Sequence, residues 1–136
     1  MKWHEEYLGK PWQANPNPPE SFNCGELLRY VYKKHFDYDA PILLADALDL
    51  RSCVRDVQNI QRYYSNMKKV TRAQDFDLAV LWRGIIPDHV GLYAAGSILH
   101  CRPNVGVFLD DAFTIESFGW RKIEYYRPEG LTPCLP

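Results

Sequence analysis

The chain has 136 residues, 46% hydrophobic and 14% aromatic, which is enough for one compact domain with its own core. A formal net charge of −1 excludes a protein that selects nucleic acid or an anionic membrane by bulk charge. The opening residues, MKWHEEYLGKPW, lack the apolar stretch of a signal peptide, and no later run is long enough to span a bilayer. The expectation is synthesis in the cytosol, with any role outside the cell depending on a route other than a cleaved leader.

In chain order, KPWQANPNPPE (10 to 20) is rich in Pro and Asn and reads as an extended loop. Asn23 then stands where a helix N-cap belongs. Glu26 falls at the third helical position, so the two form the reciprocal pattern of a capping box. Leu27, Leu28, Val31, Tyr32 and Phe36 supply the buried stripe of that helix. A second helix is expected over residues 42 to 50. A third runs from about Arg51 to Met67, where Val54, Val57, Ile60, Tyr64 and Met67 recur every three or four positions. Residues 51 to 72 carry six Lys/Arg against one acid, Asp56, a basic face that is either solvated or in contact with an anion.

From Asp77 onward the period changes to two. DLAVLW, HVGLYAA, SILHC, VGVFLD and KIEYYRP read as strands divided by Gly, Pro and Asn. Helices followed by an antiparallel sheet indicate the α+β class, in a single domain spanning residues 1 to 136.

The four cysteines, Cys24, Cys53, Cys101 and Cys134, form no CxxC pair and show no zinc-ligand spacing with His, so neither metal nor cofactor is expected. Cys53 and Cys101 read as small apolar fillers, and Cys134 as a tail residue without an assigned role. Cys24 differs because it follows the N-cap directly. There its sulfur faces unpaired backbone N–H groups and the positive end of the helix dipole, which stabilises the reactive thiolate. The alternative is an inert, buried cysteine.

HVGLYAAGSILHC (89 to 101) reads as a hairpin turning at Ala95-Gly96. If Ala94 faces Ser97, then Gly91 lies opposite His100, His89 lies opposite Arg102, and residues 89, 91, 93, 98, 100 and 102 share one face. His89 and His100 become diagonal neighbours, roughly 7–8 Å apart at the backbone and within side-chain reach. Gly91 leaves space beside His100. Val90, Leu92, Leu99 and Cys101 form the opposite, packed face, so that alternation separates a polar histidine face from an apolar one; the alternative is two ordinary histidines on a half-exposed hairpin.

These pieces match the needs of a cysteine hydrolase: a thiolate (Cys24), an imidazole that holds and returns the proton (His89), and a group that fixes the imidazole's tautomer (His100). Asp88 is the second choice as orienting group. The Cys24 backbone N–H would form part of an oxyanion hole.

In order along the chain, GKPW (9 to 12), NCGELL (23 to 28), FDLAVLW (76 to 82), HVGLY (89 to 93) and ILHC (98 to 101) resemble the NlpC-type papain-like cell-wall cysteine peptidases, a superfamily that includes phage tail-assembly members. The resemblance implies a papain-like α+β fold and a Cys24–His89–His100 triad that cleaves amide bonds in peptidoglycan stem peptides without a cofactor. Delivery by a phage tail or a secretion machine would then take the chain from the bacterial cytoplasm to the wall. Asn23 replaces the family's usual Asp. Gly25 and Glu26 stand where Ser/Trp and Gly are usual, and Trp12 replaces a Tyr on the substrate side. Trp12, Gly25 and Trp82 are the candidate substrate-side residues, and Trp120 could join the two tryptophans in walling a cleft or simply pack in the core. Two other readings stand beside the hydrolase: a binding or structural module that keeps the fold, and an acyltransferase that shares the thioester step.

Overall fold

The computed structural model describes residues 2–40, 67–128 and 130, with the side chains of Ile86 and Asp88 excepted. The helices expected over 42–50 and 51–66 lie outside the described residues, as do Cys53 and Cys134.

Helix α1 spans Cys24–Phe36. It starts where the sequence places it, because the Glu26 N–H donates to Asn23 Oδ1 at 2.8 Å and satisfies one of the unpaired donors of the first turn. The return half of the capping box is missing. Both Glu26 carboxylate oxygens instead accept from Arg29 Nη1, at 2.9 and 3.1 Å, since a guanidinium one turn away is a stronger donor than a neutral backbone N–H. Lys33, Lys34 and His35 in the last turn complement the helix dipole, and Asp37 ends the helix in the left-handed region at φ 53°. Leu27, Leu28, Val31 and Tyr32 are buried as expected, with Phe36 packed at the margin of the same core.

Six strands follow: β1 Met67–Val70, β2 Leu78–Arg83, β3 Ile86–Ala94, β4 Ser97–Arg102, β5 Gly106–Asp110 and β6 Lys122–Pro128. They form one antiparallel sheet in the order β1-β6-β2-β3-β4-β5. A short helix, α2 (Ala112–Ser117), capped by Asp111, joins β5 to β6, and a 3-10 turn occupies Trp3–Tyr7. Met67, expected to end a helix, opens β1 instead. The segment MKKV pairs with the tail of β6, and its two lysines on an edge strand discourage pairing with another chain.

The hairpin register is the expected one: Leu92, Tyr93 and Ala94 pair with Leu99, Ile98 and Ser97. Its ladder ends there, so the pairs expected farther along, Gly91 with His100 and His89 with Arg102, lie outside it. Below that point β3 stays bonded to β2 and β4 to β5.

Alternation along the strands divides the core in two. Leu78, Val80, Val90, Leu92, Leu99, Cys101 and Val107 face α1. Ala79, Leu81, Ile98, Ile115 and Trp120 pack on the opposite face, beneath α2. Each fully buried Val, Leu or Ile removes enough apolar surface from water to contribute about 1.5–3 kcal/mol. The second cluster is at odds with the alternative of two ordinary histidines on a half-exposed hairpin. Trp120 and Ile115 cover it, leaving His89 5% exposed and His100 0%.

Candidate active site

Three adjacent strands converge on one polar cluster. His89 comes from β3, His100 from β4 and Asp110 from the end of β5. His89 Nε2 lies 3.0 Å from His100 Nδ1, and His100 Nε2 lies 2.7 Å from Asp110 Oδ2. The histidine rings meet edge to face with centroids 5.2 Å apart. Trp120 stacks on the other side of His89, at 4.9 Å and 12° from parallel. Trp120 is thus a buried partner of an imidazole rather than an open cleft wall.

The segment carrying Trp120 is fixed by arginines from two strands. Arg83 Nη1 donates to the Phe118 carbonyl at 2.7 Å, and its guanidinium lies 4.4 Å over the Trp120 ring. Arg102 lies 3.9 Å over Phe118. The same arginines act on the histidines. Burial pushes the His89 imidazole well below its ordinary pKa, and His100, Arg102 and Arg83 add to that by disfavouring a further positive charge. Burial also lowers His100, against the opposing hydrogen bond and charge of Asp110 and with a smaller push from Arg102. Both rings are therefore neutral near pH 7, and a neutral imidazole has one nitrogen able to take a proton.

Cys24 occupies the first position of α1 and is partly accessible. Its neighbours belong to the α1 side of the sheet, where it packs against the cluster that contains Cys101. Cys101 is fully buried, its Sγ donates to the Phe22 carbonyl at 3.3 Å, and burial followed by the nearby Cys24 pushes its thiol up to about 12. Cys101 is the inert filler the sequence suggested. Because Cys101 adjoins His100 in β4, the start of α1 lies over the strand that carries the second histidine.

The candidate substrate-side residues separate. Trp12 is half-buried beside the entry to α1, in a single parallel bridge with Phe22, two residues before Cys24. Gly25 is buried in the first turn of α1. Trp82 packs on the α1 side at the far end of β2, its buried Nε1 without a hydrogen-bond partner among the described residues and Lys122 Nζ 4.6 Å from its ring centre. Among the remaining polar aromatics, His4 and Tyr7 are buried, and the Tyr7 hydroxyl lies 3.0 Å from His35 Nε2, so these are packing residues. No group of three His, Cys, Asp or Glu side chains among the described residues is placed to hold a metal ion.

Asp110 is the residue that the sequence reading missed. A signal for it existed: β4 and β5 pair His100 with Phe108 and Ile98 with Asp110, which makes Asp110 a diagonal neighbour of His100 on the histidine face. Asp88, the alternative orienting group, has a side chain outside the described residues.

No protein-family model and no curated protein matches the sequence. Among solved structures, the fold is similar to the NlpC/p60 domain of the peptidoglycan hydrolase SagA, with a TM-score of 0.59 at 18% identity over 90% of this chain and 91% of that one. At that identity the likeness shows a shared fold.

Proposed function

We propose that the chain is a cysteine amidase acting on peptide bonds of peptidoglycan stem peptides, with Cys24 as nucleophile, His89 as base and His100 as the group that orients the base. The observation that carries this reading is the buried His89–His100 pair, joined at 3.0 Å on the two strands against which α1 packs, together with a partly accessible thiol at the first position of that helix. Its substrate class is taken from the peptidoglycan hydrolase whose domain shares the fold.

The chemistry follows from the parts. His89 takes the thiol proton, and the Cys24 sulfur attacks the amide carbonyl, its negative oxygen accepting from the backbone N–H groups at the start of α1. The C–N bond breaks as His89 returns the proton to the departing amine, leaving a thioester on Cys24. Water, deprotonated by the same imidazole, then attacks the thioester, releases the acid and regenerates the thiol.

A second reading, a binding module that retains the fold, is favoured by one observation: Cys24 packs with the α1 side of the sheet, whereas the histidine rings lie on the α2 side. Labelling with iodoacetamide across pH, scored by mass spectrometry at each cysteine, separates the two. The amidase reading expects Cys24 to react well below the ~8.5 of an unperturbed thiol and to lose that advantage in His89→Ala. It also expects Cys24→Ser to keep the fold and lose turnover of stem-peptide fragments. Cys24 reactivity that is indifferent to His89 supports the binding module instead.

A further inference from the structure

We propose that Asp110 is a positioning residue which, acting through His100, decides which nitrogen of His89 is basic. This rests on the reading of His89 as the base. The chain of contacts has a direction. An ionised carboxylate can only accept, so at 2.7 Å the proton between Asp110 and His100 belongs to His100 Nε2. A neutral imidazole carries one proton, which leaves a lone pair on His100 Nδ1. At 3.0 Å from that lone pair, His89 Nε2 must be the donor. The single proton of His89 is thereby held on Nε2, and its Nδ1 is left as the nitrogen that can take a proton from a thiol.

Without Asp110 the direction is lost. His100 can then carry its proton on Nδ1 and donate it to His89 Nε2, which puts the His89 proton on Nδ1 and blocks the basic position. Two histidines alone do not choose between these arrangements; a carboxylate at one end does. The surroundings reinforce the choice by keeping both rings neutral. The face is covered by Trp120 and Ile115, and the guanidinium groups of Arg83 from β2 and Arg102 from β4 disfavour a charge on His89. A doubly protonated His100 would donate from both nitrogens and reverse the chain just as loss of Asp110 does. Asp110 is one-fifth exposed at its side chain, on the edge strand β5, so substitution there disturbs little packing.

The test reads tautomers directly, by the 15N shifts of the imidazole nitrogens in labelled protein, together with the iodoacetamide rate at Cys24. In the wild-type chain both His89 and His100 are expected as Nε2–H tautomers. Asp110→Asn, whose amide can donate to His100 Nε2, is expected to move His100 toward the Nδ1–H form and to slow Cys24 labelling about 10–100-fold, by analogy with loss of the partner that orients a metal-ligating imidazole. Asp110→Glu, which keeps the acceptor, is expected to retain the wild-type tautomers. A wild-type His100 protonated on Nδ1 overturns the proposal, even if the Asn variant fails to fold. So does a folded Asp110→Asn protein with unchanged tautomers and an unchanged labelling rate. A wild-type protein with both Nε2–H tautomers and no turnover overturns the amidase reading and leaves the role of Asp110 standing.

Discussion

Single positions in this site are set by how little room the backbone leaves. Gly91 lies in β3 between the histidine side chain and the packed Val90–Leu92 face. A Cβ there would stand 2.7 Å from the Leu99 carbonyl oxygen, 2.8 Å from Ile98 Cγ2 and 3.0 Å from His100 Cβ. The missing side chain does not leave a gap beside His100, as the sequence suggested; it lets β4 close up against β3. Because the nearest obstacle is backbone, it cannot swing aside. Gly91→Ala is therefore expected to lose about 1–3 kcal/mol, the usual range for overpacking a core position, with the His100 ring displaced from His89. Urea denaturation measures the first effect and the imidazole 15N shifts the second; a variant as stable as wild type would mean that β3 and β4 are not this close. The two described thiols make a similar contrast. Burial has switched off Cys101, whereas Cys24 sits in the first turn of α1, whose N–H groups can support a negative sulfur.

At the level of elements, the β3–β4 hairpin brings the histidines together, and its turn is imperfect. Ala95 and Gly96 both have positive φ, 51° and 82°, as a two-residue turn of the twist-matched type demands. Gly adopts that region without strain and Ala does not; the Ala95 N–H donating to Asp75 Oδ1 at 3.0 Å helps hold it. Ala95→Asn would install the preferred Asn-Gly pair and is expected to raise stability by up to about 1 kcal/mol, seen as a higher melting temperature with unchanged turnover. An unchanged or lower melting temperature would indicate that some other contact dictates the turn. This hairpin was legible because Ala-Gly marks the turn and alternation then fixes which face each side chain takes, although the pairing itself stops after Leu92 and Leu99; that is how His89 and His100 could be put on one face from the sequence. The same device applied one hairpin further, from Arg102 opposite Gly106, would have found Asp110. Other elements gave weaker signals. MKKV continues a helical apolar pattern into two lysines, so β1 was hidden by the wrong period, and α2 has six residues, too few for a 3.6-residue repeat to declare itself. The burial of the histidine face was illegible for a related reason: its cover comes from α2 and Trp120, which are distant in sequence from the strands they shield.

The molecule as a whole is a sheet with a hydrophobic layer on each side, and the polar cluster lies inside the smaller of the two. That placement links the site to the pH dependence of folding. His89 and His100 both have pKa values lowered by burial, so in the folded chain they bind protons only at pH values where the unfolded chain, near 6.5, already holds them. Between the folded values and ~6.5 the unfolded state carries more protons, and stability there rises with pH. The stability associated with the neutral pair is thus fully present above ~6.5 and is lost as pH falls through that window, by up to about 1.4 kcal/mol per pH unit for each ring. Glu6, whose carboxyl burial alone would raise but which Lys34, Tyr7 and His35 together bring below its ordinary value, acts in the same direction but only at more acid pH. The two ranges are therefore separable. Melting temperatures taken from pH 8 to pH 5 are expected to hold steady down to about pH 6.5 and then to fall, and His100→Gln, which removes one titrating ring, is expected to make that fall shallower. A wild-type melting temperature that stays flat to pH 5 would mean that water reaches the pair, and with it that the neutral state on which a directed Asp110–His100–His89 chain depends is not enforced by the fold.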